Sequence, residues 1–212
     1  MNKIFVSKIS NIVLIGEIQQ KNTNSKGKWK LNYCCSELNK KMENGRVYFI
    51  TSDEEIKKIG CSSCKGGIKT TFSSYEGGLG GKPSIRTFGI HKLIQKEIDK
   101  GKSVKIYCLF NDWFETMIQG ITSKEKKKVF PDIKEMERMC TSDYKKIFGK
   151  YPPWNFQENG EEWPKEIKIS YNLHLQLKNK KPILNKTKIN KDRKNRKNFI
   201  YEEDEEDTAS EL

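Results

Sequence analysis

The tightest constraint on the fold is the stretch Gly45 to Gly60, GRVYFITSDEEIKKIG. Its short β-branched and aromatic runs, Val47 to Ile50 and Ile56 to Ile59, flank a polar turn from Thr51 to Glu55, which is the pattern of a β-hairpin. The hairpin carries Tyr48 on one arm and Lys58 on the other, and both can project from one sheet once the register is set.

Charge says what such a sheet is expected to meet. The chain of 212 residues has a formal charge of +13, yet its last twelve residues hold seven acids and no Lys or Arg, so residues 1–200 carry +20. A body this basic points to a polyanion, of which nucleic acid is the commonest, although solvated lysines on a lysine-rich chain give part of the same signal. Hydrophobic content of 34% against 33% charged residues suits one domain with polar tails better than a single large globule. No apolar run approaches the roughly 20 residues of a membrane span. The apolar start, Ile4 to Val6 and Ile12 to Ile15, is interrupted by Lys8, Ser10 and Asn11 and reads neither as a span nor as a signal peptide. An intracellular protein with reduced cysteines is expected.

Residues 4–18 read as two strands, IFVSKI and NIVLIGEI, followed by a polar loop over 19–29, a third strand over 30–35 and a charged connector from Ser36 to Asn44. This portion, residues 1–44, is either an extension of the sheet or a small nucleic-acid-gripping subdomain. After the hairpin, Ile68 to Tyr75 form a short helix ended by Gly77, Gly78, Gly80 and Gly81. The GGLGG cluster lacks the GxxxxGK[ST] pattern of a phosphate loop and is assigned to loop flexibility. Ile90, Leu93, Ile94 and Ile98 mark an amphipathic helix over 90–100 that stops at Gly101. The near-continuous apolar run Val104 to Phe110 predicts a central strand buried on both faces. Residues 111–129 form a variable segment ending in KEKKK. A helix over 132–148 buries Ile133, Met136, Met139, Cys140, Tyr144 and Ile147; Gly149 caps it, and Pro152-Pro153 leave Trp154 and Asn155 extended. Ile167 to Leu175 is one more possible strand. From Lys178 the composition, ten basic residues against one acid between 178 and 198 and then EEDEEDTASEL, predicts disorder. The fold class is α/β (α+β), a central antiparallel sheet flanked by helices.

Val-Tyr preceded by a glycine, then Lys-Ile-Gly, resembles the paired signature of the GIY-YIG nuclease superfamily, and the likeness runs on. Arg86 and His91 stand at the entry to the helix of residues 90–100, and EMERMCTSDYKKIFGKYPPWN resembles the family's closing segment, with Glu137 at its glutamate and Asn155 at its asparagine. The resemblance covers residues 45–160, with 1–44 a β extension, 161–177 an accessory segment and 178–212 a charged tail. It implies a DNA endonuclease that hydrolyses phosphodiester bonds with Mg²⁺ or Mn²⁺.

The residue roles it implies follow the chemistry of that hydrolysis. Glu137 would hold the metal ion, because a hard divalent cation takes oxygen ligands and keeps several waters. Arg86 would hold the scissile phosphate through its fork of donors. Tyr48 resembles the tyrosine that approaches the attacking water, and it acts as base only if a cation lowers its pKa from about 10. Lys58 is the departure, since most members have tyrosine there; a desolvated lysine can be neutral and act as base, or the departure marks an inactive nucleic-acid-binding module on the same fold. His91 would assist either group or contact the phosphate. Lys82, Lys150 and Asn155 join Arg86 as candidate DNA contacts, and cutting both strands would call for a homodimer. Cys61, Cys64, Cys34 and Cys35 offer four thiols for zinc, but adjacent Cys34 and Cys35 would point to opposite sides of a strand, so buried or half-buried thiols are expected instead.

Overall fold

A computed structural model of the chain describes residues 6–21, 28–37, 39, 45–110, 114–119, 121–122, 124–130 and 132–180. The chain divides into two units, Met1–Asn172 and Leu173–Leu212. Of the second, residues 173–180 are described, and they are helical. The expected tail beyond them lies outside the described residues.

Five strands form the main sheet: β1 (Ile12–Gln20), β2 (Trp29–Tyr33), β3 (Arg46–Ser52), β4 (Glu55–Ser62) and β5 (Val104–Leu109), in the order β2-β1-β5-β3-β4 with every neighbouring pair antiparallel. The apolar run of β5 therefore takes the middle position that its composition predicts. The two N-terminal strands continue the same sheet through β1 against β5. Among the described residues the helices that pack on it or follow it are α1 (Gly67–Glu76) and α2 (Ile85–Asp99), between β4 and β5, and α3 (Ile133–Phe148) and α4 (Lys165–Lys180), after them.

Alternation along β3 divides the core in two. Tyr48 and Ile50 face one layer, where Ile68, Phe72 and Tyr75 of α1 and Phe88, Ile90 and Ile94 of α2 cover the sheet. Val47 and Phe49 face the other, covered by Met136 and Tyr144 of α3. Helix α3 is bounded as its ends predict: Asp132 accepts from the backbone N–H groups of Lys134 and Glu135, and Gly149 closes it in the left-handed conformation.

Four sequence expectations change, the first on α3, where Met139 and Ile147 of the expected buried stripe are exposed. Residues 6–8 of the first expected strand form a 3-10 turn, with Val6 fully buried against the α3 layer. Residues 111–129, read as a variable segment, supply a second hairpin, β6 (Phe114–Ile118) paired with β7 (Lys126–Phe130), so the lysine run lies in a strand. Ile167 to Leu175 is helix rather than strand. Its apolar residues alternate at period two, but in α4 only Ile167 is buried while Ile169, Leu173 and Leu177 are exposed. A lone strand needs a partner for each backbone group, whereas a helix satisfies its own.

Candidate active site

The hairpin turns through two residues, Asp53 and Glu54, both left-handed, as a tight turn between strands requires. Neither is glycine, and the strain is held from outside: the Asp53 N–H donates to the Ser103 carbonyl and its Oδ1 accepts from the Ser103 N–H. Ser52 pairs with Glu55 and Thr51 with Ile56, but Ile50 pairs with Lys58, so Lys57 is an extra residue. This β-bulge sets the site. With a regular ladder Lys57 would lie opposite Ile50 and Lys58 would face the α3 layer; the extra residue turns Lys58 to the face of Ile50 and Tyr48. The Lys57 carbonyl accepts from the Trp154 N–H at 2.8 Å, which pins the bulge from outside.

Tyr48 lies opposite Gly60, and its ring crosses that residue: a Cβ at Gly60 would stand 2.5 Å from Tyr48 Cζ and Oη. The glycine of Lys-Ile-Gly is thus the space the tyrosine occupies. Its hydroxyl is 2.8 Å from that of Tyr75 at the end of α1, and Phe72 closes an edge-on aromatic trio with the pair. Arg86, in the first turn of α2, is exposed along one side while its guanidinium faces both hydroxyls. Partial desolvation pulls its pKa down, but interactions with Tyr75 and Tyr48 outweigh that and leave it above the usual arginine value. Burial, reinforced by Tyr75, drives the Tyr48 phenol well above its ordinary pKa, against the opposing pull of Arg86. In this setting Tyr48 is held as the hydroxyl.

Lys58 is buried, and its pKa falls to about 8, first through desolvation and then through the charge of Arg86; Glu158 and Glu137 oppose the shift. Glu137, half-buried on α3, is hydrogen-bonded to the Cys61 thiol, whose pKa rises to about 12 mainly through burial and then through that carboxylate. Lys58 and Cys61 sit on opposite faces of β4, yet Lys58 feels Glu137 and Cys61 feels Arg86. The charges meet around the outer edge of β4, the last strand of the sheet. Lys58 and Arg86 also line a cavity of about 240 Å³ together with Trp154, Phe156, Glu158 and Trp163. Tyr48 and Lys58, from β3 and β4, thus each lie within electrostatic reach of Arg86 on α2, and Lys58 also within reach of Glu137 on α3.

Two expected site residues lie elsewhere. His91 is fully buried, its Nδ1 2.9 Å from the Tyr75 carbonyl and its ring stacked on Trp29, so it braces Tyr75 from behind and reaches no phosphate. Asn155, 1% exposed, uses both ends of its amide on one residue of β4: Oδ1 accepts from the Ile59 N–H at 3.0 Å and Nδ2 donates to the Ile59 carbonyl at 2.9 Å. It acts as a one-residue strand against the sheet edge, its amide turned into the protein rather than towards solvent. Lys82 and Lys150 are exposed.

Tyr75 and Glu158 were not foreseen. The spacing of Phe72 and Tyr75 marks only a buried helix face, and nothing in the sequence says that the two hydroxyls meet. Gly78 is likewise no flexible hinge: a Cβ there would come within 2.7 Å of the His91 Cβ, so α1 ends in close contact with α2. The six cysteines are free thiols, and among the described residues no three His, Cys, Asp or Glu side chains gather as a metal cage.

No protein-family profile matches the chain, and no curated protein does. Among solved structures it is similar to a mutant of bacteriophage T4 EndoII, at 17% identity and a TM-score of 0.44, covering 68% of this chain and 90% of that one. It is also similar to the restriction endonuclease HPY188I in complex with product DNA, at 23% identity and a TM-score of 0.40, covering 71% of this chain and 85% of that one.

Proposed function

We propose that the protein is a metal-dependent DNA endonuclease of GIY-YIG type in which Lys58, rather than Tyr48, is the general base. The observation that carries this reading is a buried amine with a pKa near 8, set beside a guanidinium and a carboxylate around one strand edge. A general base works best when its pKa lies near the operating pH. At pH 8 about half of such a lysine is neutral and able to take the proton of an attacking water.

Arg86 presents a fork of donors to the scissile phosphate, and its seat in the first turn of α2 adds the positive end of the helix. The Tyr48 and Tyr75 hydroxyls accept from that fork and fix it in place, one of them donating to the other across 2.8 Å. Glu137 suits a divalent ion of the magnesium class. It is a single hard carboxylate, its neighbour Cys61 stays a protonated thiol, and Mg²⁺ or Mn²⁺ completes its shell from waters and substrate phosphate. Such an ion would neutralise charge on the phosphate and leaving oxygen. The excess of +20 on residues 1–200 provides attraction for the DNA backbone. A cut through both strands would take two copies of this site.

Supercoiled plasmid incubated with Mg²⁺ tests the reading. The wild type is expected to nick or linearise it, while Glu137→Ala and Lys58→Met leave it intact. Binding without any nicking, across several DNAs, would favour an inactive binding module on the same fold.

A further inference from the structure

We propose that the cavity beside Lys58 and Arg86 takes up a single unstacked nucleobase of the strand whose phosphate Arg86 holds, so that DNA with an extrahelical base is the favoured substrate. This rests on the nuclease reading for its phosphate, and on the cavity alone for its base.

The cavity suits one flat heterocycle. A cavity of about 150 Å³ already accommodates benzene, and this one measures about 240 Å³, with room for a single base. Its aromatic lining, Trp154, Phe156 and Trp163, has the composition used to stack unpaired bases. The rings are held in advance. Trp163 lies across Gly89 of α2, where an added Cβ would stand 2.3 Å from its ring, and Phe156 packs against Trp163 with centroids 4.6 Å apart. Trp154 is tied through its N–H to Lys57, the bulge residue that turns Lys58 into the site.

Charge arranges the ends of the cavity. Lys58 and Arg86 supply the cationic side that a phosphate requires, and Glu158 supplies a carboxylate able to accept from an exocyclic amino group. A nucleotide carries its phosphate and base one sugar apart, and the cavity lining holds both cations and aromatic rings. An apolar ligand would leave the two cations unanswered, and an uncharged polar ligand would leave the rings so.

Fluorescence anisotropy with the full chain carrying Glu137→Ala, which removes cleavage, tests this on three duplexes of one sequence: fully paired, with a single-nucleotide bulge, and with that bulge made abasic. The bulged duplex should bind about tenfold more tightly than the paired one, and the abasic bulge should lose that gain. Adding Phe156→Leu, which keeps volume and removes the π-face, should bring the bulge preference to within about twofold without weakening the paired duplex. Trp163→Leu, checked for folding by circular dichroism, should do the same. Equal binding of bulged and abasic DNA, or a preference that survives both ring substitutions, overturns the inference. If wild-type protein cuts plasmid and no bulge preference exists, the cavity assignment alone is wrong. A ring-dependent preference in a protein that cuts nothing upholds the cavity and removes the nuclease.

Discussion

Replacing Lys58 with methionine should stabilise the protein while abolishing its activity, and the size of the gain follows from burial. The lysine pKa falls from 10.5 to about 8 on folding. Each pKa unit is worth about 1.4 kcal/mol, so keeping Lys58 charged in the native state costs about 3 kcal/mol. The sign follows from proton counting. A depressed lysine means that between pH 8 and 10.5 the unfolded chain binds more protons than the folded one, so wild-type stability rises with pH across that window. Below pH 8 the cost is complete; above 10.5 it is gone. Methionine matches the length and apolar stem of lysine without the charge. Urea unfolding at pH 7 should therefore place Lys58→Met above wild type by up to about 3 kcal/mol, a gain of several degrees in Tm for a chain this size. The advantage should shrink steadily as pH rises from 8 towards 10.5. A variant less stable than wild type at pH 7, or an advantage independent of pH, would show that Lys58 is held by favourable charge pairing, and the case for a neutral amine base would fall with it.

Three further outcomes follow from the same geometry. The cleavage rate should rise about tenfold per pH unit up to about pH 8 and level off above it, and Lys58→Arg, charged at every accessible pH, should lose both the rise and the activity. Gly60→Ala forces a Cβ to within 2.5 Å of the Tyr48 ring and should cost about 1–3 kcal/mol in thermal unfolding together with most of the nuclease activity; activity retained at wild-type level would mean that Tyr48 contributes nothing there. Asn155→Leu strands the buried N–H and carbonyl of Ile59 and should cost about 2–5 kcal/mol by urea unfolding, with the DNA affinity of the folded fraction unchanged; a loss of affinity without a loss of stability would restore Asn155 as a DNA contact.

How far the site was legible depended on whether local pattern or distant contact decides each residue. The β-branched run Val104 to Phe110 announces a central strand because burial on both faces forbids polar alternation. The Gly149 stop is likewise local, and so are Met136 and Tyr144 of the α3 stripe, whereas Met139 and Ile147, read as part of that stripe, are exposed. Lys58 is a different case. Side chains alternate along a strand, so one extra residue reverses which face every later residue meets. Nothing in EEIKKIG distinguishes a regular ladder from one with a bulge at Lys57; the choice is made by the Trp154 N–H, nearly a hundred residues on. Asn155 was misread for the related reason that an amide fits a phosphate and a strand edge equally well. His91 was misread because its partners, the Tyr75 carbonyl and the Trp29 ring, come from elements with no sequence signature of contact. In α4 the alternation of Ile167, Ile169, Tyr171, Leu173 and Leu175 copies a strand's pattern without a sheet edge to receive it.

The outer edge of β4 then explains why the segment after α3 must return where it does. An open edge strand is a hazard, since its unpaired N–H and carbonyl groups invite pairing with another chain. Here Trp154 and Asn155 occupy the edge at Lys57 and Ile59, and Gly149 with Pro152 and Pro153 ends α3 and leads the chain back to them. Side chains on both faces of β4 remain able to approach one another past Gly60 and Cys61, which is how a carboxylate from the α3 layer comes into electrostatic reach of an amine from the opposite layer. A central strand could not do this, because its neighbours separate the two faces. The edge position that endangers solubility is thus also what lets a site draw groups from both sides of the sheet, and the Asn155 clamp reconciles the two demands.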